Sequence, residues 1–296
     1  MAAIGRAKNC DISAKPGEGK ARRNRLALCP ELSGILFLTI ALADVSERRI
    51  FPDPKRVNRA LFGAWYEEDI YDNFCAALPR AMRLLRHRIP AVMRARNLIF
   101  VHVPRVAGMS ITRALYGESC IHHYSMRYYR ALDPAFAQAA GSFALLRDPL
   151  ERFASAFAFV RAGGTALSRL SEVFAQQTAY IASVDDYLSF LEGRGPLELD
   201  FVMRPQSWFV CDPLTGEPLV KTLFVLGEDG GALAAYLAPQ KIGPLPWINR
   251  APRASLLLSA RQRRRIERLY ADDFALLESV RRRARDLFHS AAIAAE

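Results

Sequence analysis

Residues 98–117 read LIFVHVPRVAGMSITRALYG. The first six, Leu98 to Val103, form an almost purely apolar run rich in β-branched side chains, the pattern of a strand buried on both faces of a parallel sheet. Pro104 ends the ladder, and Arg105 to Met109 make a short turn containing Ala107 and Gly108. Ser110 opens a helical phase in which Ile111, Ala114 and Leu115 share a face. A helix start combines unpaired N–H groups with the positive end of a dipole, so strand–turn–helix is a natural anion cradle. Arg105 and Ser110 flank it with a fixed cation and a hydroxyl. The turn is not a Walker loop, since G-x-x-x-x-G-K-[ST] is absent, and a plain strand–helix unit with a surface arginine would look the same.

A second stretch repeats the pattern. Residues 143–158, FALLRDPLERFASAFA, read as a short strand followed by a helix with Asp148 as N-cap and Pro149 at the first helical position. Leu150, Phe153, Ala154, Phe157 and Ala158 make an apolar stripe, with Arg152 and Ser155 off it and Arg147 at the strand exit. Two anion cradles on neighbouring strands imply a ligand with phosphates at both ends.

VHVPRVAGMSI resembles the 5′-phosphosulfate loop (P-K-T-G-G-T-S type) of the carbohydrate sulfotransferases, and LLRDPLERFASAF resembles their R-[DN]-P-x-x-R-x-x-S-A-[FY] motif for the 3′-phosphate. In the second motif Arg147, Asp148, Pro149, Arg152, Ser155 and Phe157 all fall in register. The resemblance runs from Asn97 to Leu276, about three-fifths of the chain. It implies an α/β fold: a three-layer α/β/α sandwich on a central parallel sheet, with a P-loop NTPase-like core. It also implies a metal-independent sulfotransferase that uses 3′-phosphoadenosine 5′-phosphosulfate as donor and a carbohydrate or glycan hydroxyl, including polyanionic glycans, as acceptor.

The resemblance assigns the residues in turn. Arg105, Val106, Ala107, Gly108, Met109 and Ser110 hold the 5′-phosphate. Arg147 and Ser155, with Arg152 secondary, hold the 3′-phosphate. His123 is the base that takes the acceptor proton, with His122 in reserve; an imidazole suits this because its pKa lies near operating pH. Arg204, Gln206 and Trp208 line an acceptor groove or are packing residues. Asn249, Arg250 and Arg253 belong to a lid over the nucleotide, and Glu228, after a third strand at 221–226, pairs with a cation. The first loop departs from the family: Arg105, Val106, Ala107 and Met109 stand where it has Lys, Thr, Gly and Thr. Arginine still binds phosphate, often bidentately, but it cannot lose its proton. A non-catalytic nucleotide- or glycan-binding protein on the same scaffold is therefore the alternative. A kinase would need the absent Walker lysine.

Composition sets the frame. The 296 residues carry a net charge of +11, which favours anionic partners, and mean hydropathy is +0.01. No nucleic-acid-binding motif is present. The five cysteines are scattered without C-x-x-C spacing, and the five histidines lack metal spacing. Residues 1–25 hold seven Lys/Arg and read as a disordered basic tail. Leu32 to Ala43 is apolar but shorter than the roughly 20 residues a span requires. It reads as a buried or membrane-resting helix, or as a signal or anchor segment with a cleavage-like Ala41-Leu42-Ala43. The expected organisation is an extension over 1–96, partly disordered and partly helical, and a sulfotransferase domain over 97–296, cytoplasmic with peripheral membrane contact. Two terminal helices, 259–271 and 273–289, carry arginine runs that read as solvated faces.

Overall fold

The computed structural model describes residues 54–70, 88–117, 122–165, 168–243 and 256–293, with side chains as far as Asp286. The tail, the 32–43 segment and the lid residues Asn249, Arg250 and Arg253 lie outside these. The described elements run α1 (Pro54–Phe62), α2 (Ala91–Arg96), β1 (Leu98–Val101), α3 (Gly108–Tyr116), α4 (Met126–Leu132), α5 (Pro134–Ala139) and β2 (Gly141–Leu146). They continue with α6 (Pro149–Arg161), α7 (Glu172–Thr178), α8 (Val184–Leu191), α9 (Ser207–Val210), β3 (Thr222–Val225), α10 (Gly230–Leu237), α11 (Ala260–Leu269) and α12 (Ala271–Ile293). Single 3₁₀ turns occur at Pro196–Glu198, Phe201–Met203 and Ala238–Gln240.

The three strands form one parallel sheet in the order β1-β2-β3. Leu98 pairs with Gly141 and Val101 with Ala144; Phe143 pairs with Thr222 and Leu146 with Val225. All four residues of β1 and five of the six in β2 are buried. Successive side chains point to opposite faces, so these strands are covered on both. The free edge of β1 is closed by one side chain. The Tyr116 hydroxyl, at the end of α3, accepts from Phe100 N–H (2.9 Å) and donates to Leu98 C=O (2.9 Å). That satisfies two backbone groups which a fourth strand would otherwise pair.

Helix starts follow local chemistry. Asp148 accepts from Leu150 N–H (3.0 Å) and Glu151 N–H (3.2 Å), with Pro149 at the first helical position of α6. Ser125, Asp133, Ser183 and Ser259 cap α4, α5, α8 and α11 in the same way. On α6 the buried face is Arg152, Phe153, Ala156, Phe157, Phe159 and Val160, while Ala158 is exposed. The expected stripe is thus displaced by part of a turn, because a second hydrophobic core lies on the side where Arg152 was expected to be open. That core gathers Phe153, Phe157, Phe174, Tyr187, Leu188 and Ile266; the first surrounds the sheet and includes Val103, Val106, Phe143 and Leu277. The arginine runs are not simply solvated. Arg265 binds Asp185 (2.6 Å) and Glu192 (2.7 Å), and Arg281 donates to Glu228 (3.0 Å), the cation partner anticipated for that residue.

Residues 54–70 and 88–96 belong to the same compact unit as the sheet, Pro52–Glu296. Ile89 and Met93 sit in the sheet core. Asp69 makes a bidentate pair with Arg204 (2.6 and 2.7 Å), both side chains almost wholly buried. The boundary expected at 96/97 therefore runs through one packed body. No helix among the described residues is long and apolar enough to cross a membrane.

The buried pair yields a clear expectation. Asp69→Ala leaves the Arg204 guanidinium charged and uncompensated, and should lower the urea unfolding free energy by about 3–5 kcal/mol. Replacing both partners together, as Asp69→Leu with Arg204→Met, should recover most of that loss.

Candidate functional site

The site forms where the chain leaves β1 and β2. After Val101 the backbone tightens, with Val103 N–H donating to Val101 C=O (3.1 Å). The turn then passes through two left-handed non-glycine residues, Arg105 (φ 69°) and Ala107 (φ 63°). Each costs roughly 1–2 kcal/mol relative to a right-handed conformation. Ala107 is the N-cap residue of α3 and has no side-chain oxygen to offer its N–H groups. Gly108 follows at a point where no side chain fits: a Cβ there would lie 2.1 Å from His102 Cδ2 and 2.5 Å from His102 Nε2.

The two cradles meet. Arg105 Nε donates to Ser155 Oγ (3.1 Å), and the Arg105 guanidinium lies over the Phe159 ring at 4.9 Å. Arg152, 2% exposed, donates from Nε to Pro104 C=O (3.1 Å), tying α6 directly to the turn. Burial, then the nearby charges of Arg147 and Arg152, lower the Arg105 pKa, the signature of three guanidiniums crowded at one edge. Such a cluster is stabilised by an anion between its members.

The members play different parts from those the sequence suggested. Arg152 is buried beneath the turn and spends donors on Pro104 and, at 3.5 Å, on Val202 C=O, so it props the site from inside. The α6 start is already filled by the Asp148 carboxylate, and an anion on that side must be held by side chains rather than helix N–H groups. Arg147 is available for that: its Nε contacts Glu151 (3.1 Å) with the side chain 21% exposed. Its backbone is clamped by Gln206, whose amide accepts from Arg147 N–H (2.9 Å) and donates to Arg147 C=O (2.8 Å). Gln206 is 1% exposed and Arg204 is fully buried, so neither lines a groove. Gln206 instead extends the sheet's hydrogen bonding beyond β2, while Asp273 on α12 accepts from the Gln206 and Ser207 N–H groups (both 2.8 Å). Trp208, half-buried, is covered by Arg127 at 4.4 Å. Ser110 is buried in the first turn of α3, and Val106 is in the core; Met109 is half-buried.

His123 stands beside the turn. Its Nδ1 lies 3.0 Å from His102 C=O. A carbonyl only accepts, so Nδ1 carries the proton and Nε2 is the ring's acceptor. Burial lowers the His123 pKa, with the hydrogen bond to His102 and the charge of Asp200 acting in the opposite sense. The ring is therefore neutral near pH 7 and able to take a proton. His122 is exposed and stacks on Tyr124 at 4.8 Å. Phe201 packs 5.9 Å from His123, and in turn stacks on Tyr66 at 3.9 Å, whose hydroxyl donates to Asp200. The 54–70 segment thus reaches the wall behind His123.

Sequence reading missed His102, Asp69 and Tyr66. The only signal for His102 was a polar ring inside an apolar strand run. Among the described residues no group of three His, Cys, Asp or Glu is placed to hold a metal ion. A cleft of about 560 Å³ between α8 and α11 is lined by Asp185, Glu192, Arg261, Arg264, Arg265 and Arg268 among others, and shares no residue with the turn. Compared with known proteins, the chain matches no family model and no curated sequence.

Two outcomes are expected. Gly108→Ala forces the new methyl into His102 and should cost about 1–3 kcal/mol in stability, read by urea unfolding. The second concerns pH. Burial also depresses the His102 pKa well below 6.5, followed by the neighbouring His123. The unfolded rings protonate first, so the stability contributed by neutral His102 and His123 is complete above about pH 6.5 and is lost as pH falls toward their lower folded values. Between pH 7.5 and 5 the wild type should lose more unfolding free energy than the His102→Phe, His123→Phe double variant.

Proposed function

We propose that this chain is a sulfotransferase that moves a sulfuryl group from 3′-phosphoadenosine 5′-phosphosulfate to a hydroxyl of a carbohydrate or glycan. The observation that carries this reading is the Arg105–Ser155 hydrogen bond at 3.1 Å, because it brings the turn after β1 and the helix after β2 to one wall. A donor with phosphates at both ends suits two adjacent cationic subsites: Arg105 with the 105–110 turn, and Arg147 beside Ser155. The finer architecture belongs to the same proposal. The parallel three-stranded sheet would be the centre of a P-loop-like three-layer sandwich, in a cytoplasmic chain with peripheral membrane contact through the basic N-terminus and residues 32–43.

The donor supplies an activated sulfur–oxygen bond to phosphate. The chain's residues position and polarise. His123 Nε2 takes the acceptor proton as the acceptor oxygen bonds to sulfur and the bond to the phosphate oxygen breaks. Arg105 holds the phosphate on which negative charge grows; preorganised donors of this kind are worth about 2.7–4 kcal/mol each. Arg105 is itself held by Ser155 and Phe159, so its charge needs little reorganisation. Arg147 fixes the far phosphate, and holding both ends supplies orientation. Arg152 and Gln206 keep this geometry from behind. The same engagement of Arg105 favours one second reading, a binding protein without turnover, since arginine cannot donate a proton to the leaving oxygen.

Calorimetric titration with 3′,5′-bisphosphoadenosine, 5′-AMP and ATP tests the reading. Tight binding that requires the 3′-phosphate and is lost in Arg147→Ala is the expected result. Equal binding of all three nucleotides would overturn it. Bisphosphate binding without sulfuryl transfer to any of a panel of sugars would favour the second reading.

A further inference from the structure

We propose that His102 is an anion-contacting residue of the turn: its neutral imidazole presents Nε2–H, at the Gly108 end of the turn, to an oxygen of the bound phosphate. The phosphate's identity as the donor's 5′-group rests on the function proposed above; the oxyanion contact itself does not.

Four observations converge on this ring. It is 5% exposed, at the exit of β1. Its Cδ2–Nε2 edge occupies the space a Gly108 side chain would take, with Nε2 only 2.5 Å from that Cβ position, so this edge faces the turn. Its Nδ1 is buried without a hydrogen-bond partner, and the ring packs with its centroid 5.9 Å from that of Phe100 and 4.4 Å from that of His123. Its own carbonyl meanwhile sets the tautomer of His123.

A phenylalanine here would fill the same space without a buried unpaired nitrogen, which folding disfavours. The imidazole therefore needs a use. A buried N–H without a partner is rarer than a buried acceptor without one, so the proton belongs on Nε2, at the turn. The ring stays neutral because burial and His123 both oppose protonation. A neutral donor also suits this turn. Arg105 is already crowded by Arg147 and Arg152, and a further cation would add repulsion. Val106, Ala107 and Met109 bring no side-chain hydroxyl to the turn, so an N–H from His102 replaces a donor that the loop lacks.

The test uses full-length protein labelled with ¹⁵N-histidine. Long-range ¹H–¹⁵N spectra at pH 7 should show His102 as the neutral Nε2–H tautomer, with its Nε2 resonance moving on titration with 3′,5′-bisphosphoadenosine and with inorganic phosphate. His102→Phe should raise Kd for both by about tenfold and leave adenosine 3′-monophosphate unaffected; His102→Gln, which restores an N–H, should recover part of the loss. If the wild type ignores the nucleotide but inorganic phosphate moves Nε2, the inference stands and the sulfotransferase reading fails. If the nucleotide binds with His102 unmoved, or His102 carries its proton on Nδ1, the inference is wrong whatever the function. The wild-type spectrum decides even if a variant does not fold.

Discussion

The hydrogen bond from buried Arg152 to the carbonyl of Pro104 is the constraint on which the rest depends. A guanidinium removed from water must spend its donors inside the protein, and carbonyls of non-regular backbone are suitable acceptors. Arg152 therefore grips the turn after β1 from within α6, and the carbonyl of Val202 from the other side. It stands where the sheet core and the helical core meet, so one charge fixes the relation of three chain segments. With those segments fixed, Arg105 reaches Ser155 and Arg147 emerges beside them.

Around that bond the turn stores strain. Arg105 and Ala107 are left-handed without being glycine, and α3 begins at Ala107 with no side-chain cap. Residues held in such conformations persist when their surroundings over-determine them. Here Arg152 holds the carbonyl of Pro104, Val106 is driven into the sheet core, and His102 fills the space left by Gly108. The same elements align His123, whose tautomer is set by the carbonyl of His102.

A second network backs the first. Asp69 with Arg204, and Tyr66 with Asp200 and Phe201, carry the 54–70 segment into the wall behind His123. Gln206 and Asp273 perform the equivalent task behind Arg147. Polar residues that look like ligand contacts in a linear reading are thus largely spent on holding loop backbone. Buried side chains with several donors do this well, because each satisfies groups that no strand or helix reaches.

The sequence by itself determined the local units. Apolar runs at 98–103, 143–146 and 221–226 gave β1, β2 and β3, and Asp148-Pro149 gave the start of α6, because strand burial and helix capping depend on residues close in the chain. The pairing of Glu228 with a cation was also legible, since an exposed acid in a chain with an excess of arginines finds a partner easily. Only the tertiary structure decided which polar residues are buried as backbone props and which stay near the turn. Arg152, Arg204 and Gln206 share the chemistry of Arg105 and Arg147, and their burial follows from partners distant in the chain: Pro104 and Val202 for Arg152, Asp69 for Arg204, Arg147 and Asp273 for Gln206. His102 escaped notice for the same reason: its place is fixed by the missing Cβ on Gly108 and by His123, neither of which hydrophobic periodicity can register.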